Sequence, residues 1–294
     1  MRIAVSGANG FVGEALCRHL RQRGIDVTPL VRQQEKGVQV DYNDHESMRR
    51  ALENCDVLIH LIARTHHRSE PLNALEEYRA TNVNLSVELA AAAAAAGVKR
   101  MVFLSSIKAN GEATDTTPFS QQSSPAPTSA YGISKLEAER ALSKSCESSG
   151  IELVVARIPL VYAPHAKGNI ALIGKALRWR IPLPFANTRN KRSLIDLAEL
   201  CIALEDCATH KNAAGQTYLI ANTNSPSTSA LIRRIACDQG SPALLFPAPR
   251  WLLHLAAKLL GKTEEMQRLT GNLEVIATPR FRTASAFATH KSEL

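Results

Sequence analysis

The first half of the chain carries short, mainly apolar runs at residues 3–5, 27–31, 38–40, 57–61, 101–104 and 153–156. Runs of that length, without strict alternation, read as strands buried on both faces. Between several of them the apolar positions change to helical spacing, over residues 12–23, 46–53, 75–96 and 134–148. Strands alternating with helices imply parallel βαβ units, so the expected architecture is α/β with a doubly wound parallel sheet. The alanine run at 90–96 reads as helix packed closely on that sheet.

After Pro159 the rhythm changes. Helical spacing dominates at 170–179, 198–207, 228–238 and 251–260, with one short strand at 217–220. This predicts a smaller, mainly helical substrate lobe leaning on the C-terminal edge of the sheet, where open α/β sheets bind ligands. The boundaries follow: a nucleotide-binding domain over 1–160, the lobe over 161–278, and an atypical tail over 279–294. Residues 110–130, rich in Ser, Thr and Pro, read as an irregular loop, and loops of such length are usually functional or disordered. The stretch "PRWLLHLAAKLL" (residues 249–260) is apolar enough to raise membrane docking. With Arg250 and Lys258 its only cations, it is expected to be a core-facing helix instead.

Composition narrows the function classes. A chain of 294 residues, 45% apolar and 21% charged, suits one large domain or a large and a small one. There is no run of 18 apolar residues, so no transmembrane segment is expected. Met1 and Arg2 lead directly into the first strand, so no secretory leader is expected either. The six cysteines (17, 55, 146, 201, 207, 237) lack Cys-x-x-Cys spacing, which argues against zinc and a disulfide framework and for a cytoplasmic location. His66 and His67 are adjacent and point different ways on any regular element, so no metal site is expected there. The net charge of +8 suggests an anionic partner, with plain surface solvation accounting for part of the excess. The cations are dispersed and no nucleic-acid motif appears, so a phosphate-bearing small molecule fits better than nucleic acid.

The cofactor site is legible in "AVSGANGFVGEAL" (residues 4–16), which sets Gly7, Gly10 and Gly13 in a Gly-x-x-Gly-x-x-Gly frame between a strand and a helix. Gly7 permits the tight turn, Gly10 lets backbone approach a pyrophosphate, and Gly13 lets helix and strand close together. The helix start, with Phe11 and Val12, then offers free N–H groups and a positive dipole end to phosphate. The fold is therefore Rossmann-type. Where an NAD site usually has Asp or Glu at the end of the second strand, Arg32 stands here, which leans the reading from NAD toward NADP. Asp41 is placed to accept from the adenine amino group.

The motif "YGISK" (residues 131–135) holds a phenol and an ammonium four positions apart, on one face of a helix. By itself the spacing is common. Around it, several motifs occur in order: "HLIAR" (60–64), "TNVN" (81–84), "FLSSIKANGE" (103–112), "SAYGISKLEAE" (129–139) and "RIPLVYAP" (157–164). Over about residues 1–275 the sequence resembles the extended short-chain dehydrogenase/reductase family, and within it the nucleotide-sugar epimerases and reductases.

The resemblance implies catalysis by Ser106, Tyr131 and Lys135, with Asn82 completing the set through a water or backbone link. Lys135 is expected to hold the nicotinamide ribose and, with the positive nicotinamide, to lower the Tyr131 pKa. Leu61, Ala63 and Pro159 join the cofactor contacts. Asn169 in "KGN" (167–169) and Arg192 in "NKRSL" (190–194) match sugar- and diphosphate-binding segments. Two departures, Lys108 and Asn110 beside the reaction centre, are expected to bear on sugar preference. The implied reaction is at C4 of a UDP-linked N-acetylamino or 6-deoxy hexose, by a 4-epimerase or a 4-ketosugar reductase of bacterial surface-polysaccharide synthesis. The partner is a UDP-sugar, and a homodimer is compatible. An epimerase of a lipid-diphosphate-linked sugar and a non-catalytic NAD(P)-sensing protein stay open beside it. The family's closing pattern begins at "NLEV" (272–275) and is then abandoned, so the residues after about 279 are expected to be poorly ordered.

Overall fold

The computed structural model describes residues 1–33, 37–65, 73–166 and 168–278. Seven parallel strands form the central sheet: β1 (Arg2–Ser6), β2 (Asp26–Val31), β3 (Val38–Gln39), β4 (Val57–His60), β5 (Arg100–Ser106), β6 (Glu152–Ile158) and β9 (Thr217–Leu219). Their order is 3-2-1-4-5-6-9. The chain reverses direction across the sheet between β1 and β4, where Ile3 faces Val27 on one side and Val57 on the other. That reversal is the switch point at which the carboxyl ends of such sheets open a crevice.

Each face of the sheet has its own core. Ile3, Val5 and Ile59 meet Leu16 and Leu20 of α1 (Phe11–Gln22) and Leu200 and Leu204 of α7 (Leu197–Thr209). Ala4, Leu58 and Met101, displaced by one residue, point the opposite way. They meet α2 (His45–Ala51), α4 (Leu85–Ala95) and α5 (Ala130–Ser149). The alternation follows from the two-residue period of a strand. Ala92 and Ala93 of α4 are fully buried, which lets this helix lie close to the sheet.

The predicted helix over 75–96 is interrupted. α3 (Ala74–Arg79) passes through a π turn at Ala80–Asn84 before α4 resumes. Hydrophobic periodicity does not register one extra residue in a turn, and such insertions tend to mark functional sites. The predicted loop over 110–130 is pinned at Phe119, whose N–H donates to Glu274 O at 2.8 Å and whose carbonyl accepts from Ile276 N at 2.8 Å.

A third core joins α6 (Asn169–Arg178), α8 (Thr228–Asp238) and α9 (Arg250–Leu259) through Ile170, Leu177, Phe185, Ile232, Ile235 and Leu253. Sequence reading did not find the two-stranded β7 (Leu160–Tyr162)–β8 (Leu194–Asp196) pair or α10 (Thr263–Thr270). The expectation of a core-facing helix over 249–260 holds for one face only. Leu253 and Ala257 are buried, but Trp251, Leu252, Leu255 and Leu259 are exposed. Among the described residues no helix is long and apolar enough to cross a membrane. No disulfide joins any of the six cysteines. The tail over 279–294, Lys167 and the His66–His67 pair lie outside the described residues.

Candidate active site

The glycine loop is built for close approach. Gly7 has φ +73°, and a Cβ there would meet Ile62 N at 3.2 Å. A Cβ on Gly13 would lie 2.2 Å from Gly7 O, so only glycine lets α1 start this near β1. Gly10 caps α1 without a side-chain hydrogen bond, which leaves the N–H groups of the first turn (Phe11, Val12, Gly13) without intrahelical partners and facing outward. Leu61 follows β4 directly beside Gly7, donating its N–H to Ser6 O at 3.2 Å. Ala63 and the buried Pro159 lie at the same carboxyl edge of the sheet. This is a cradle that a dinucleotide's pyrophosphate fits.

At the far side of that crevice, Arg32 is exposed just past the end of β2, and no carboxylate among the described residues pairs with it. Asp41 is partly committed: its Oδ1 accepts from Asn43 N at 2.9 Å and from Asn43 Nδ2 at 3.3 Å.

The reaction centre forms where β5 ends and α5 begins. Ser106 closes β5, and its Oγ accepts from Lys108 N at 3.2 Å. Tyr131 stands in the first turn of α5, buried edge-on to Tyr78 with ring centroids 5.9 Å apart. Burial pushes its phenol up to about 12, and a hydrogen bond with Ser106 pulls it the other way. The structure thus joins Ser106 to Tyr131, but the expected lowering by Lys135 is absent from this balance. Lys135 is fully buried, with Nζ 2.8 Å from Leu104 O and 3.9 Å from the Phe103 ring centroid. Burial lowers its ammonium to about 7, against the raising influence of Glu139. The lysine is therefore held by the sheet on the side of α5 that carries Tyr131.

The entry to α5 is fixed by two devices. Ser129 caps it, accepting from Gly132 N at 3.1 Å. Glu112 then accepts from Thr128 N at 3.0 Å, Thr128 Oγ1 at 2.8 Å, Ser129 N at 3.0 Å and Ser129 Oγ at 2.5 Å. Burial works to raise this carboxyl, but the four bonds outweigh it and hold it below the usual carboxylate range. Gly132 brings α5 against the backbone of Lys108, since a Cβ on it would lie 2.5 Å from Lys108 O.

Asn82 is fully buried on the π turn, and its amide is engaged by the backbone and by Ser134. Its Oδ1 accepts from Arg64 N at 2.8 Å, and its Nδ2 donates to Arg64 O at 3.1 Å and Ser134 Oγ at 2.9 Å. Ser134 Oγ in turn donates to Tyr131 O at 2.8 Å. Asn82 is thus tied through Ser134 to the backbone of Tyr131, the residue whose phenol is the expected proton carrier. A second string reaches Asn82 from the glycine loop. His60 Nδ1 lies 2.7 Å from Ser6 Oγ and its Nε2 lies 2.9 Å from Ser86 Oγ. Ser86 Oγ donates to Asn82 O at 2.8 Å. Ser86 has spent its proton there, so Nε2–H is the donor and Nδ1 the acceptor. Burial, aided by Lys135, lowers His60 to about 3 and keeps it neutral.

Asn110, expected to bear on sugar preference, has its amide already engaged within the protein. It is buried, accepting from Arg157 Nη1 at 2.9 Å and donating to Ser123 O at 3.4 Å. Arg157 completes a bidentate pair with Glu139, 2.6 Å at its shortest, and Glu139 also bonds Ser105. An amide there satisfies a buried guanidinium. Glu139 lies four residues beyond Lys135, a spacing that could have signalled the shared face.

Lys108 does reach the site, with Nζ 6.0 Å from the Tyr131 ring centroid. Burial, Arg268 and Arg192 all lower its ammonium, against Glu112. Arg192 is lowered to about 10 by burial and then by Arg268. Arg192 and Arg268 thus lie close enough to lower Lys108, with Arg268 also paired to Glu264 at 3.1 Å, and a group of cations around Lys108 suits a polyanion. The chain end assembles them: Leu273 N donates to Lys191 O at 2.8 Å, and Ser193 N to Leu273 O at 2.9 Å. Arg268 went unnoticed in the sequence because α10 itself did. Asn169 opens α6 exposed, and nothing in the structure ties it to Tyr131. Among the described residues no cluster of His, Cys, Asp and Glu could hold a metal ion.

Comparison with known proteins agrees with this geometry. Residues 3–221 match the NAD dependent epimerase/dehydratase family. The chain is 36% identical over 286 residues to a UDP-glucose 4-epimerase of Vibrio cholerae, covering 93% of this chain and 86% of that protein. The fold is similar to a UDP-glucose 4-epimerase from Thermotoga maritima solved with UDP-glucose, with TM-score 0.72, 19% identity and coverage of 95% and 90%. It is also similar to the Thermus thermophilus UDP-glucose 4-epimerase in complex with NAD, with TM-score 0.69, 23% identity and coverage of 85% and 86%.

Proposed function

Since the chain belongs to the NAD-dependent epimerase/dehydratase family, we propose that it is a 4-epimerase of a UDP-hexose, with Tyr131 as the proton carrier. The observation that carries this reading is Lys108, with Nζ 6.0 Å from the ring centroid of Tyr131 and with Arg192 and Arg268 close enough to lower its ammonium. A diphosphate held by those cations would set the attached sugar against the phenol. Gly7, Gly10, Gly13 and the first turn of α1 would hold the dinucleotide, which when bound supplies the hydride acceptor and a positive charge. With the bound dinucleotide's positive charge favouring its phenolate, Tyr131 would take the proton from the C4 hydroxyl and later return it, Ser106 would orient that oxygen, and Lys135 would secure the ribose. General acid–base help of this kind contributes on the order of 10²–10⁴-fold. The third core, around α6, α8 and α9, is the substrate lobe in this reading.

A 4-ketosugar reductase is the second reading, favoured by Arg32. Exposed and without a described carboxylate partner, it suits the 2′-phosphate of an exchangeable NADPH, and NADP is the cofactor we favour by that residue. An N-acetylamino or 6-deoxy hexose, a role in surface-polysaccharide synthesis and a cytoplasmic site accompany either reading. The homodimer compatible with the resemblance is read by light scattering. The deciding experiment incubates the protein with NAD and UDP-glucose, UDP-galactose or their N-acetylamino counterparts, and resolves the C4 epimers chromatographically. NADPH oxidation with a UDP-4-keto-6-deoxy hexose tests the second reading. Finding no epimer from any of the four sugars would sink the first.

A further inference from the structure

Helix α9 is apolar on two opposite sides. Leu253 and Ala257 lie inward, Leu253 in the core that holds Leu177, Phe185 and Ile232. Trp251, Leu252, Leu255 and Leu259 form a stripe turned the other way. Trp251 is 68% exposed and Leu259 80%. A helix that is apolar all round ordinarily lies inside a core or against lipid. The surface also extends beyond α9. Residues 244–246 lead toward it and pair with the segment after α6, where Leu183 N donates to Leu244 O and accepts, at its carbonyl, from Phe246 N. Leu244 and Phe246 are exposed on either side of Leu245, and Trp179 (68% exposed) and Ile181 are exposed where α6 ends. Both tryptophans of the chain are exposed, one on α9 and one at the end of α6.

Charge identifies what covers it. Residues 241–262 carry Arg250, Lys258 and Lys262 with no carboxylate, and residues 169–181 carry Lys175, Arg178 and Arg180 with none; Glu264 and Glu265 follow in α10, with Glu264 paired to Arg268 at 3.1 Å. A second copy seated on the same face would set cations against cations. The chain's own residues 279–294 hold Arg280, Arg282 and Lys291 against Glu293, so they share the sign. An anionic phospholipid surface complements both features. Its headgroups receive the cations, and tryptophan and leucine enter the boundary between headgroup and acyl chain. We propose that α9 and the end of α6 dock this protein on an anionic membrane surface. The few cations within α9, which argued against docking when the helix was taken alone, are supplemented by those around Trp179.

The two tryptophans make the test direct. The purified full-length protein is mixed with vesicles of phosphatidylethanolamine containing a quarter phosphatidylglycerol, and in parallel with pure phosphatidylcholine. Tryptophan emission should shift to the blue and the protein should sediment with the anionic vesicles, about tenfold or more weakly with the neutral ones, and less at high salt. The Trp251→Ser/Leu255→Gln/Leu259→Gln variant, altered only at exposed positions, should lose at least roughly tenfold in vesicle affinity while binding NAD as the parent does. Lys258→Glu/Lys262→Glu should do the same without touching the apolar stripe. The proposal is overturned by an unshifted emission spectrum, by equal binding to neutral vesicles, or by a parent dimer that the triple variant converts to monomer. That last outcome would assign the face to a second copy.

Discussion

Replacing Gly132 with alanine should both destabilise the protein and slow it. In an ordinary helix Gly→Ala is favourable by roughly 1 kcal/mol, because glycine has more backbone entropy to lose. Here an ideal Cβ would lie 2.5 Å from Lys108 O and 3.0 Å from both Glu112 Oε1 and Pro127 Cβ. Close carbon–oxygen contacts in proteins start at roughly 3.3 Å, so α5 or the turn carrying Lys108 must move apart by about 0.8 Å. Two of the obstructing groups are themselves tied down: Glu112 by four hydrogen bonds, Lys108 N by Ser106. Overpacking against such fixed neighbours costs about 1–3 kcal/mol. The displacement would also be felt by Tyr131, the residue before Gly132 on α5, and a misplacement of about 1 Å can cost on the order of 10² in rate. Urea unfolding should show a lower midpoint at unchanged slope, and kcat should fall by about tenfold or more with NAD affinity retained. A variant as stable as the parent, with kcat within about twofold, would mean that the helix relaxes freely and that this contact does not align the site.

Tyr131→Phe should lower kcat by at least about two orders of magnitude while cofactor affinity, measured by titration, stays the same, since only the proton path is removed. Arg192→Ala should raise KM for the UDP-sugar much more than it lowers kcat, because a bond to phosphate exists before and during reaction; a normal KM would place Arg192 outside the subsite. Arg32→Asp should weaken NADPH and spare or improve NADH, and unchanged affinities for both would separate Arg32 from the ribose. His60, lowered to about 3 by burial, binds its proton in the unfolded chain before the folded one does. Stability should therefore be complete above about pH 6.5 and decline as pH falls below it, by up to about 1.4 kcal/mol per unit for this one proton. Urea midpoints between pH 4.5 and 6.5 that do not change would show that His60 is not held neutral.

The sheet was readable from local sequence alone because a strand buried on both faces must be apolar throughout, and the runs at residues 3–5 and 57–61 leave no alternative. Gly7, Gly10 and Gly13 were equally legible, since their need for glycine arises within one βα turn. Tyr131 and Lys135 share one helix face, a spacing common by itself, and were singled out only because the ordered motifs around them carry the family resemblance. What the linear order does not contain is which distant groups a side chain meets. Asn110 sits in a motif beside the reaction centre, yet its amide is taken by Arg157, forty-seven residues away. Asn82 could be named but its role as a clamp depends on Ser134, fifty-two residues on. Arg192 and Arg268 influence Lys108 from 84 and 160 residues on, and the segment carrying Arg192 is held where the backbone near Leu273 pairs with Lys191 and Ser193. The outward stripe of α9 shows the same limit: four apolar residues have one spacing whether they face a core or solvent, and only packing of the opposite side decides. Periodicity is a local property, legible residue by residue; a charge cluster or an exposed face is a sum over elements that meet only when the chain has folded.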